Sequence, residues 1–388
     1  MNVFEGVEKR IEVSFAGSDV SPPEGLRCLD RTLLDELCSR CKCEIIYETN
    51  LPGFDSYILS ESSLFVFPLR IIIKTCGTTV PLNGVDFIVR KASELGLTVM
   101  EMVYSRTSFM FPELQQFPHN SLKVELDYLE SMEIDGRTVP GRSSILGGPC
   151  GKHWVIHRKV FVNIDGSEAP VDTPEHRQMD DGLGQYENKV TVDVIMTGLC
   201  PDVCGMFYKN HSETEGANEK KMNKPIRTIL PEFDDVQGKC YNPCGYSANG
   251  HILGAGHSER IFTVHVTPEQ EFSYASFEAV FYPSFSRSRS DEFGLEADAA
   301  AIKQIQIFLI NVLSVFKPDS AIITMMSSDA AVSATELPTS LRTEKMEYMY
   351  NPVVYTSGNL LGEDIVASSV YYSGVSSGNT GTKPTGLS

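Results

Sequence analysis

Residues 57 to 76 carry the most pronounced apolar pattern of the chain. β-Branched and aromatic residues dominate on both sides of Pro68, which cannot donate to a strand ladder. The pattern predicts two strands that meet at a turn or an edge at Pro68. A polar block, residues 60 to 63, interrupts the first strand, and the second ends in a lone thiol, Cys76, before Gly77-Thr78-Thr79. Polar groups inside a buried strand are costly unless they are paired, so these two irregularities are candidate functional positions.

Apolar periodicity elsewhere predicts further strands and helices. Asp30 can cap a helix over residues 31–41, in which Leu33, Leu34 and Leu37 share one face. The other elements expected in the first half are strands at 8–15, 43–48 and 97–104 and a helix at 84–95. Late in the chain we expect strands at 260–267, 271–281 and 320–326 and a helix around 297–316. Two strands, a helix and a strand thus occur twice, which indicates a duplicated αβ half.

Several stretches contain too few apolar residues to form a core. Exposed loops are expected at 136–151, 164–188, 211–224 and 284–296, and the segment Met222–Arg227 is expected to affect loop structure rather than chemistry. We therefore predict one domain over residues 1–372 and a disordered tail over 373–388.

Composition narrows the functional classes. The formal net charge of −18 argues against binding to a nucleic-acid backbone, and an acidic protein suits a cationic ligand. The ten cysteines are irregularly spaced, and the first residues lack the basic and apolar regions of a signal peptide. The longest apolar run, residues 307–316, is far shorter than the ~20 residues that span a bilayer. These features predict a reduced, cytoplasmic protein that does not bind membranes.

Six short blocks occur in order between residues 4 and 278. They are Phe4-Glu5-Gly6 with Glu8, Leu59-Ser60-Glu61-Ser62-Ser63-Leu64-Phe65-Val66, Lys74-Thr75-Cys76-Gly77-Thr78-Thr79, Pro243-Cys244-Gly245-Tyr246-Ser247, His265-Val266-Thr267-Pro268-Glu269 and Phe272-Ser273-Tyr274-Ala275-Ser276-Phe277-Glu278. In composition and order they resemble the eukaryotic S-adenosylmethionine decarboxylase proenzymes, which cut their own backbone to make a pyruvoyl cofactor. The resemblance implies an α+β fold, a four-layer αββα sandwich of two large, mainly antiparallel sheets.

By the family motif, the self-cleavage site is the bond between Glu61 and Ser62. A serine beside a strained peptide bond can attack the preceding carbonyl and form an ester. Elimination from this ester leaves a dehydroalanine residue, which hydrolyses to a ketone. The implied products are a light chain, 1–61, and a heavy chain, 62–388, that begins with a pyruvoyl group made from Ser62. Ser247 and His265 resemble the family pair that assists these steps, and strand alternation places His265 on the face opposite Phe262, Val264 and Val266.

The resemblance also implies the roles of the remaining site residues. The pyruvoyl carbonyl would form a Schiff base with S-adenosylmethionine and accept electrons when CO2 leaves, and Cys76 would protonate Cα. The adenine would stack between Phe4 and Tyr241, where phenylalanine is more familiar and where the tyrosine hydroxyl needs a partner. Glu269 would bind the ribose hydroxyls. Three further acidic residues are expected in the active site: Glu5, Glu8 and Glu61.

Some members of this family are stimulated by putrescine, which binds an acidic cluster between the sheets. Glu12, Thr191, Asp193 and Glu278 match positions of that cluster, but Lys189 occupies a place where activated members have an aspartate. A built-in ammonium could replace the charge of the diamine, because an unpaired acidic cluster is expensive to bury. We therefore expect activity without putrescine. The alternative is that Lys189 points to solvent.

The residue types permit three other interpretations. Cys38, Cys41 and Cys43 resemble a zinc half-site, but no second ligand pair completes a tetrahedral set, so no metal is expected. Cys76 and His265 also permit a nucleophilic cysteine hydrolase. A non-catalytic paralogue that activates a true decarboxylase would be expected to lose Ser62, Cys76 or His265, and all three are present. The sequence favours a decarboxylase for spermidine and spermine biosynthesis, acting as a monomer or a homodimer of processed units.

Overall fold

The computed structural model describes residues 4–147, 152–161, 189–232, 235–253, 259–282, 292–327, 350–359 and 366–374. The predicted loop at 164–188, most of the one at 284–296 and residues 375–388 of the predicted tail lie outside these ranges.

Two eight-stranded antiparallel sheets form the centre of the fold. The strands of the first sheet are β1 (Lys9–Ala16), β2 (Ile45–Asn50), β3 (Asp55–Leu59), β4 (Ser62–Phe67), β5 (Arg70–Thr75), β6 (Thr98–Thr107), β7 (Gly141–Gly147) and β8 (His153–Val160). Those of the second are β9 (Val190–Leu199), β10 (Asp235–Cys240), β11 (Tyr246–Leu253), β12 (Glu259–Thr267), β13 (Tyr274–Phe281), β14 (Pro318–Ser327), β15 (Tyr350–Asn359) and β16 (Val366–Gly374).

The two sheets have the same topology. The first has the strand order β2-β3-β4-β5-β1-β6-β8-β7, and the second has β10-β11-β12-β13-β9-β14-β16-β15, which is the same order with each number raised by eight. The described helices are α1 (Arg31–Cys41), α2 (Val85–Glu94), α3 (Leu122–Ser131), α4 (Pro201–Cys204), α5 (Glu215–Ile229) and α6 (Glu292–Phe316). Helix α2 connects β5 to β6 as α6 connects β13 to β14. The predicted duplication is therefore confirmed.

Strand alternation produces four layers. Within β5, Ile71 and Ile73 belong to the large apolar cluster that the first sheet shares with α1 and α2, whereas Ile72 packs in a smaller cluster with Ile261 and Val280 of the second sheet. The second sheet has its own large cluster with α5 and α6. The order helix, sheet, sheet, helix confirms the predicted αββα sandwich. No helix among the described residues combines the length and apolar character needed to cross a membrane.

The strand prediction for residues 57–67 was wrong in one respect. Ser60 and Glu61 form a two-residue turn between β3 and β4, because Leu59 pairs directly with Ser62. The Ser60 hydroxyl accepts a hydrogen bond from the backbone N–H of Glu44 at 2.9 Å. The first two residues of the polar block are therefore a hairpin turn, and only Ser62 and Ser63 belong to a strand.

The loop predictions at 211–224 and 136–151 were partly wrong. Helix α5 includes Met222–Arg227, and Thr214 caps it by accepting a hydrogen bond from the N–H of Ala217 at 3.4 Å. Met222, Ile226 and Ile229 are buried on one face, so the charged residues of this segment lie mainly on the exposed side of an amphipathic helix. Strand β7 occupies part of 136–151. Strand β16 ends at Gly374, two residues past the predicted domain boundary at residue 372.

The buried imidazole of His157 gives a prediction about stability at acidic pH. His157 in β8 is fully buried, its Nδ1 lies 2.8 Å from the Ser143 hydroxyl, and its Nε2 has no hydrogen-bond partner among the described residues. Burial, with a further contribution from Lys159, lowers the pKa of His157 from 6.5 to about 4. The unfolded chain therefore binds an additional proton between these pH values, and this group destabilises the fold as pH falls from 6.5 towards 4.

We expect His157→Gln to lose part of this acid sensitivity. Urea unfolding of the variant between the two pH limits should show a smaller fall in the free energy of unfolding than the wild type. His211→Gln, which changes an exposed histidine, is the matched control and should retain the wild-type slope. An unchanged slope in His157→Gln would contradict the assignment.

Candidate active site

The residues predicted to carry chemistry converge in the gap between the two sheets. The first sheet contributes Glu61 from the β3–β4 turn, Ser62 at the start of β4, and Cys76 directly after β5. The second contributes Ser247 from β11 and His265 from β12, which are register partners. Neither sheet alone contains the full set.

Ser62 has an unusual backbone and a buried hydroxyl. Its φ is 138°, a value that L-residues other than glycine rarely adopt and that implies local strain. The Ser62 hydroxyl donates to one carboxylate oxygen of Glu8, and the Ser276 hydroxyl from β13 donates to the other. Glu8 therefore connects the first residue after the predicted cleavage point to the opposite sheet.

Cys76 contacts the carbonyl of the predicted scissile bond. Its backbone N–H donates to the Glu61 carbonyl oxygen at 2.9 Å, and its Sγ lies 3.1 Å from the same oxygen. Two donors on one carbonyl oxygen can stabilise negative charge that develops there. The Cys76 Sγ also lies 3.3 Å from Nε2 of His265.

His265 joins the thiol to a serine. Its Nδ1 lies 2.8 Å from the Ser247 hydroxyl, and the Thr267 hydroxyl lies 3.4 Å from Nε2. Burial lowers the pKa of His265 and raises that of the Cys76 thiol, so both groups are neutral at neutral pH. A nucleophilic cysteine needs a lowered thiol pKa, and the opposite shift argues against the cysteine-hydrolase alternative.

The two aromatic residues predicted to bind adenine lie close to the contact between Cys76 and the Glu61 carbonyl. A side chain at Gly77 would lie 3.4 Å from the Phe4 ring, so Phe4 packs beside the residue that follows Cys76. The Tyr241 hydroxyl donates to the Leu59 carbonyl at 2.7 Å, two residues before Glu61, which supplies the partner that this hydroxyl was expected to need. Glu269 follows β12, and its carboxylate adds to the effect of burial in raising the pKa of the Cys244 thiol to about 12.

Glu5 is buried and binds backbone groups. Its carboxylate accepts hydrogen bonds from the N–H groups of Val7, Met110 and Phe111 at 2.9, 3.1 and 2.7 Å. Burial raises the pKa of Glu5, although these N–H groups oppose the shift. In this arrangement Glu5 holds the segment after β6 against the site, and its contacts are with backbone rather than with Ser62 or Cys76.

The predicted effector cluster is part of a buried ionic network that begins at Glu8. Its carboxylates and cations alternate in space, and four of each are present. The ion pairs are Lys74 Nζ with Glu8 at 3.2 Å, Asp193 at 3.1 Å and Glu278 at 3.2 Å; Arg10 with Glu278 at 2.9 Å and Glu12 at 2.7 Å; Lys189 with Glu12 at 2.7 Å; and Arg70 with Glu12 at 3.7 Å. The formal charges of these eight residues sum to zero.

Burial and pairing set the protonation of this network. Burial lowers the pKa of Lys189 to about 8, so it remains largely protonated at neutral pH. Burial opposes ionisation of Glu12, but Lys189, Arg10 and Arg70 outweigh it and hold the pKa of Glu12 below its usual value. Burial raises the pKa of Asp193 to about 6, against the opposing effect of Lys74. The side chain of Lys189 is only 12% exposed and is paired with Glu12, so it does not point to solvent.

A small pocket adjoins the network. Thr191 and Asp193 line it, and the Thr191 hydroxyl and the Asp193 Oδ1 have no hydrogen-bond partner among the described residues. Sequence reasoning did not single out Arg10, Arg70 or Lys74 as members of the cluster. The available signal was charge at strand positions that alternate with apolar ones, because Arg10 and Glu12 flank the buried Ile11 in β1.

The cysteines considered as a zinc half-site are core residues. Cys38, Cys41 and Cys43 are buried, and the Cys41 and Cys43 thiols lie 3.7 and 3.4 Å from backbone carbonyl oxygens. In the described part of the chain, the residues close enough to share a metal ion are Glu215, Glu219 and Cys240. Glu215 is exposed and Glu219 pairs with Lys239, so this group gives no independent sign of a metal.

Comparison with known proteins agrees with the geometry. The family model described as adenosylmethionine decarboxylase matches residues 1–371. The S-adenosylmethionine decarboxylase proenzyme of Catharanthus roseus is 38% identical over 283 residues, which is 72% of this chain and 71% of the relative. Proenzyme 3 of Arabidopsis thaliana is 39% identical over 286 residues, 72% of this chain and 74% of the relative.

A solved structure supports the fold. The crystal structure of the Trypanosoma brucei AdoMetDC-delta26 monomer aligns with a TM-score of 0.50 and 19% identity, and the alignment covers 81% of this chain and 99% of that one. At this identity the match concerns the fold alone. The match over residues 1–371 and the plant relatives show that the chain belongs to the adenosylmethionine decarboxylase family.

Proposed function

We propose that this chain cleaves itself between Glu61 and Ser62 and then decarboxylates S-adenosylmethionine with a pyruvoyl group derived from Ser62. The observation that carries the proposal is the contact of Cys76 with the Glu61 carbonyl, next to a strained serine whose hydroxyl is bonded to Glu8. The retention of Ser62, Cys76 and His265 in one site favours an enzyme over a non-catalytic regulatory paralogue.

In the first step Ser62 Oγ attacks the Glu61 carbonyl carbon. A C–O bond forms, and the hydroxyl proton passes to Glu8, which already accepts its hydrogen bond. The Cys76 N–H and thiol stabilise the negative charge on the carbonyl oxygen. The C–N bond then breaks, Glu8 gives this proton to the Ser62 nitrogen, and an ester replaces the amide.

In the second step a base removes the Cα proton of Ser62. The Cα electrons form a double bond, the Cβ–Oγ bond breaks, and Glu61 leaves as the carboxylate that ends the light chain. Addition of water to the dehydroalanine tautomer releases ammonia and leaves the ketone. His265 is suited to act as the base, because burial keeps its imidazole neutral and Ser247 orients the ring.

The residues around Ser62 fit the resulting group. The group would supply a carbonyl that can bind the substrate amine and accept the electrons released with CO2. Cys76, whose thiol keeps its proton because burial raises its pKa, is placed to donate to the substrate Cα. Phe4 and Tyr241 would hold the adenine by stacking, and Glu269 would accept the ribose hydroxyls. Glu61 would line the same pocket as the new light-chain terminus.

Ser62→Ala should abolish cleavage, because alanine has no hydroxyl to form the ester. Intact mass spectrometry under denaturing conditions should find two chains for the wild type, 1–61 and 62–388, and one full-length chain for the variant. Ser60→Ala is the matched control, since Ser60 lies in the same turn but bonds the N–H of Glu44. Cleavage of Ser62→Ala at the same bond would contradict the proposed nucleophile.

We further propose that the enzyme does not need putrescine. The carboxylates that match the effector cluster are neutralised by residues of this chain, and Lys189 contributes an ammonium 2.7 Å from Glu12. A diamine entering this network would have to displace a buried cation or add unbalanced positive charge.

Lys189→Ala should lower the turnover of the processed enzyme several-fold, because the buried Glu12 loses a charged partner, and added putrescine should restore part of the loss. Turnover of the wild type should be unaffected by putrescine. Lys239→Ala is a matched control, because Lys239 pairs with Glu219 outside the network. Several-fold activation of the wild type by putrescine would refute this proposal.

A further inference from the structure

A buried group of four polar side chains connects the sheets directly beside the cleavage site. We call it the cross-sheet clamp; its members are Ser56 of β3, Ser63 of β4, Asn249 of β11 and Thr263 of β12. The Ser63 hydroxyl donates to the Asn249 side-chain oxygen at 2.6 Å and lies 2.7 Å from the Thr263 hydroxyl. The Asn249 amide nitrogen donates to the Ser56 hydroxyl at 3.0 Å and to the Tyr57 carbonyl at 3.1 Å.

Asn249 binds both strands of the hairpin that contains the scissile bond. Its two amide hydrogens go to β3, which precedes the bond, and its oxygen accepts from β4, which follows it. All four side chains of the clamp are at most 8% exposed. Because water cannot replace these hydrogen bonds, the loss of one leaves a buried polar group unpaired.

The clamp and the processing pair belong to the same two strands. Asn249 pairs with Thr263 as Ser247 pairs with His265, so both pairs project from one face, about 7 Å apart along the strands. Ser63 is the residue that follows Ser62. The hydrogen bonds of the clamp therefore fix the position of the Glu61–Ser62 peptide, in one sheet, relative to Ser247 and His265 in the other.

We propose that Asn249 is a positioning residue for self-cleavage and that the cross-sheet clamp holds both new chain ends afterwards. The inference rests on the proposed cleavage. Attack and elimination depend on the alignment of groups from two sheets, and a displacement of about 1 Å at a reacting centre can cost around a hundredfold in rate. After cleavage, Ser63 is bound by Asn249 and Thr263, while Asn249 also binds β3 of the light chain.

The first test compares two asparagines. Asn249→Ala should slow cleavage of the freshly purified precursor by about tenfold or more, measured as a time course by intact mass spectrometry. The matched control is Asn223→Ala, because the Asn223 side chain also makes two hydrogen bonds near β11. It donates to the Val236 carbonyl at 3.0 Å and accepts from the Tyr246 hydroxyl at 2.5 Å, but it lies in α5, on the face of the sheet away from the clamp. The control should cleave at close to the wild-type rate, with thermal unfolding measured for both.

A second pair of variants separates positioning from packing. Thr263→Val keeps the shape of the side chain and removes its hydroxyl, whereas Thr263→Ser keeps the hydroxyl and removes a methyl group. The proposal predicts slow cleavage for Thr263→Val and near-normal cleavage for Thr263→Ser. A purely packing role predicts the reverse order, since serine leaves the larger void. This pair decides the question even where Asn249→Ala does not fold.

The outcomes are distinguishable. A wild-type chain that never cleaves would overturn the proposed function itself. A wild type that cleaves, with Asn249→Ala equally fast or with Thr263→Ser slower than Thr263→Val, would overturn the role of the clamp and leave the proposed function intact.

Discussion

The Glu8 carboxylate is the interaction on which the site depends. It accepts hydrogen bonds from Ser62 in one sheet and Ser276 in the other, and it pairs with Lys74. A carboxylate buried between two sheets is costly unless it is paired, so its position requires the ionic network that follows from Lys74. The serine at the proposed cleavage point and the cluster that resembles an effector site are therefore parts of one electrostatic system.

The duplicated architecture explains why the site lies where it does. Each half has the same strand order and its own helix-covered core, so each half can bury its apolar face independently. The inner faces are different. The first sheet supplies the hairpin with the proposed scissile bond and Cys76, and the second supplies Ser247 and His265. The chemistry becomes available only when the two inner faces meet, which makes the polar contacts between them functional as well as structural.

The sequence predicted the fold mainly through its ordered blocks, and it predicted several local features through elementary signals. Asp30 caps α1 as expected, and alternation correctly separated His265 from Phe262 and Val264. Alternation did not reveal that Ser60 and Glu61 form a turn, because Leu59 and Leu64 continue the apolar pattern on both sides. Charge in 211–224 concealed α5, whose buried face has only a few apolar residues.

The ionic network is the part of the site that the sequence predicted least well. Glu12, Asp193 and Glu278 were expected to cluster, but the pairing of Arg10 with Glu278 joins residues 268 positions apart, and no local pattern encodes such a contact. The partner of Lys189 and the bond from Tyr241 to Leu59 likewise depend on how the two sheets pack. Sequence patterns identify which residues face inward, while the register between the sheets decides which of them meet.

The most direct test of the account couples cleavage to catalysis. Release of labelled CO2 from carboxyl-labelled S-adenosylmethionine should be measured against the fraction of purified chains cut between Glu61 and Ser62, with a parallel count of ketones trapped by an amine and cyanoborohydride. CO2 release should rise in proportion to the trappable heavy chain and should be absent from the uncut precursor. Decarboxylation by uncut chains, or none by fully cut and trappable chains, would contradict it.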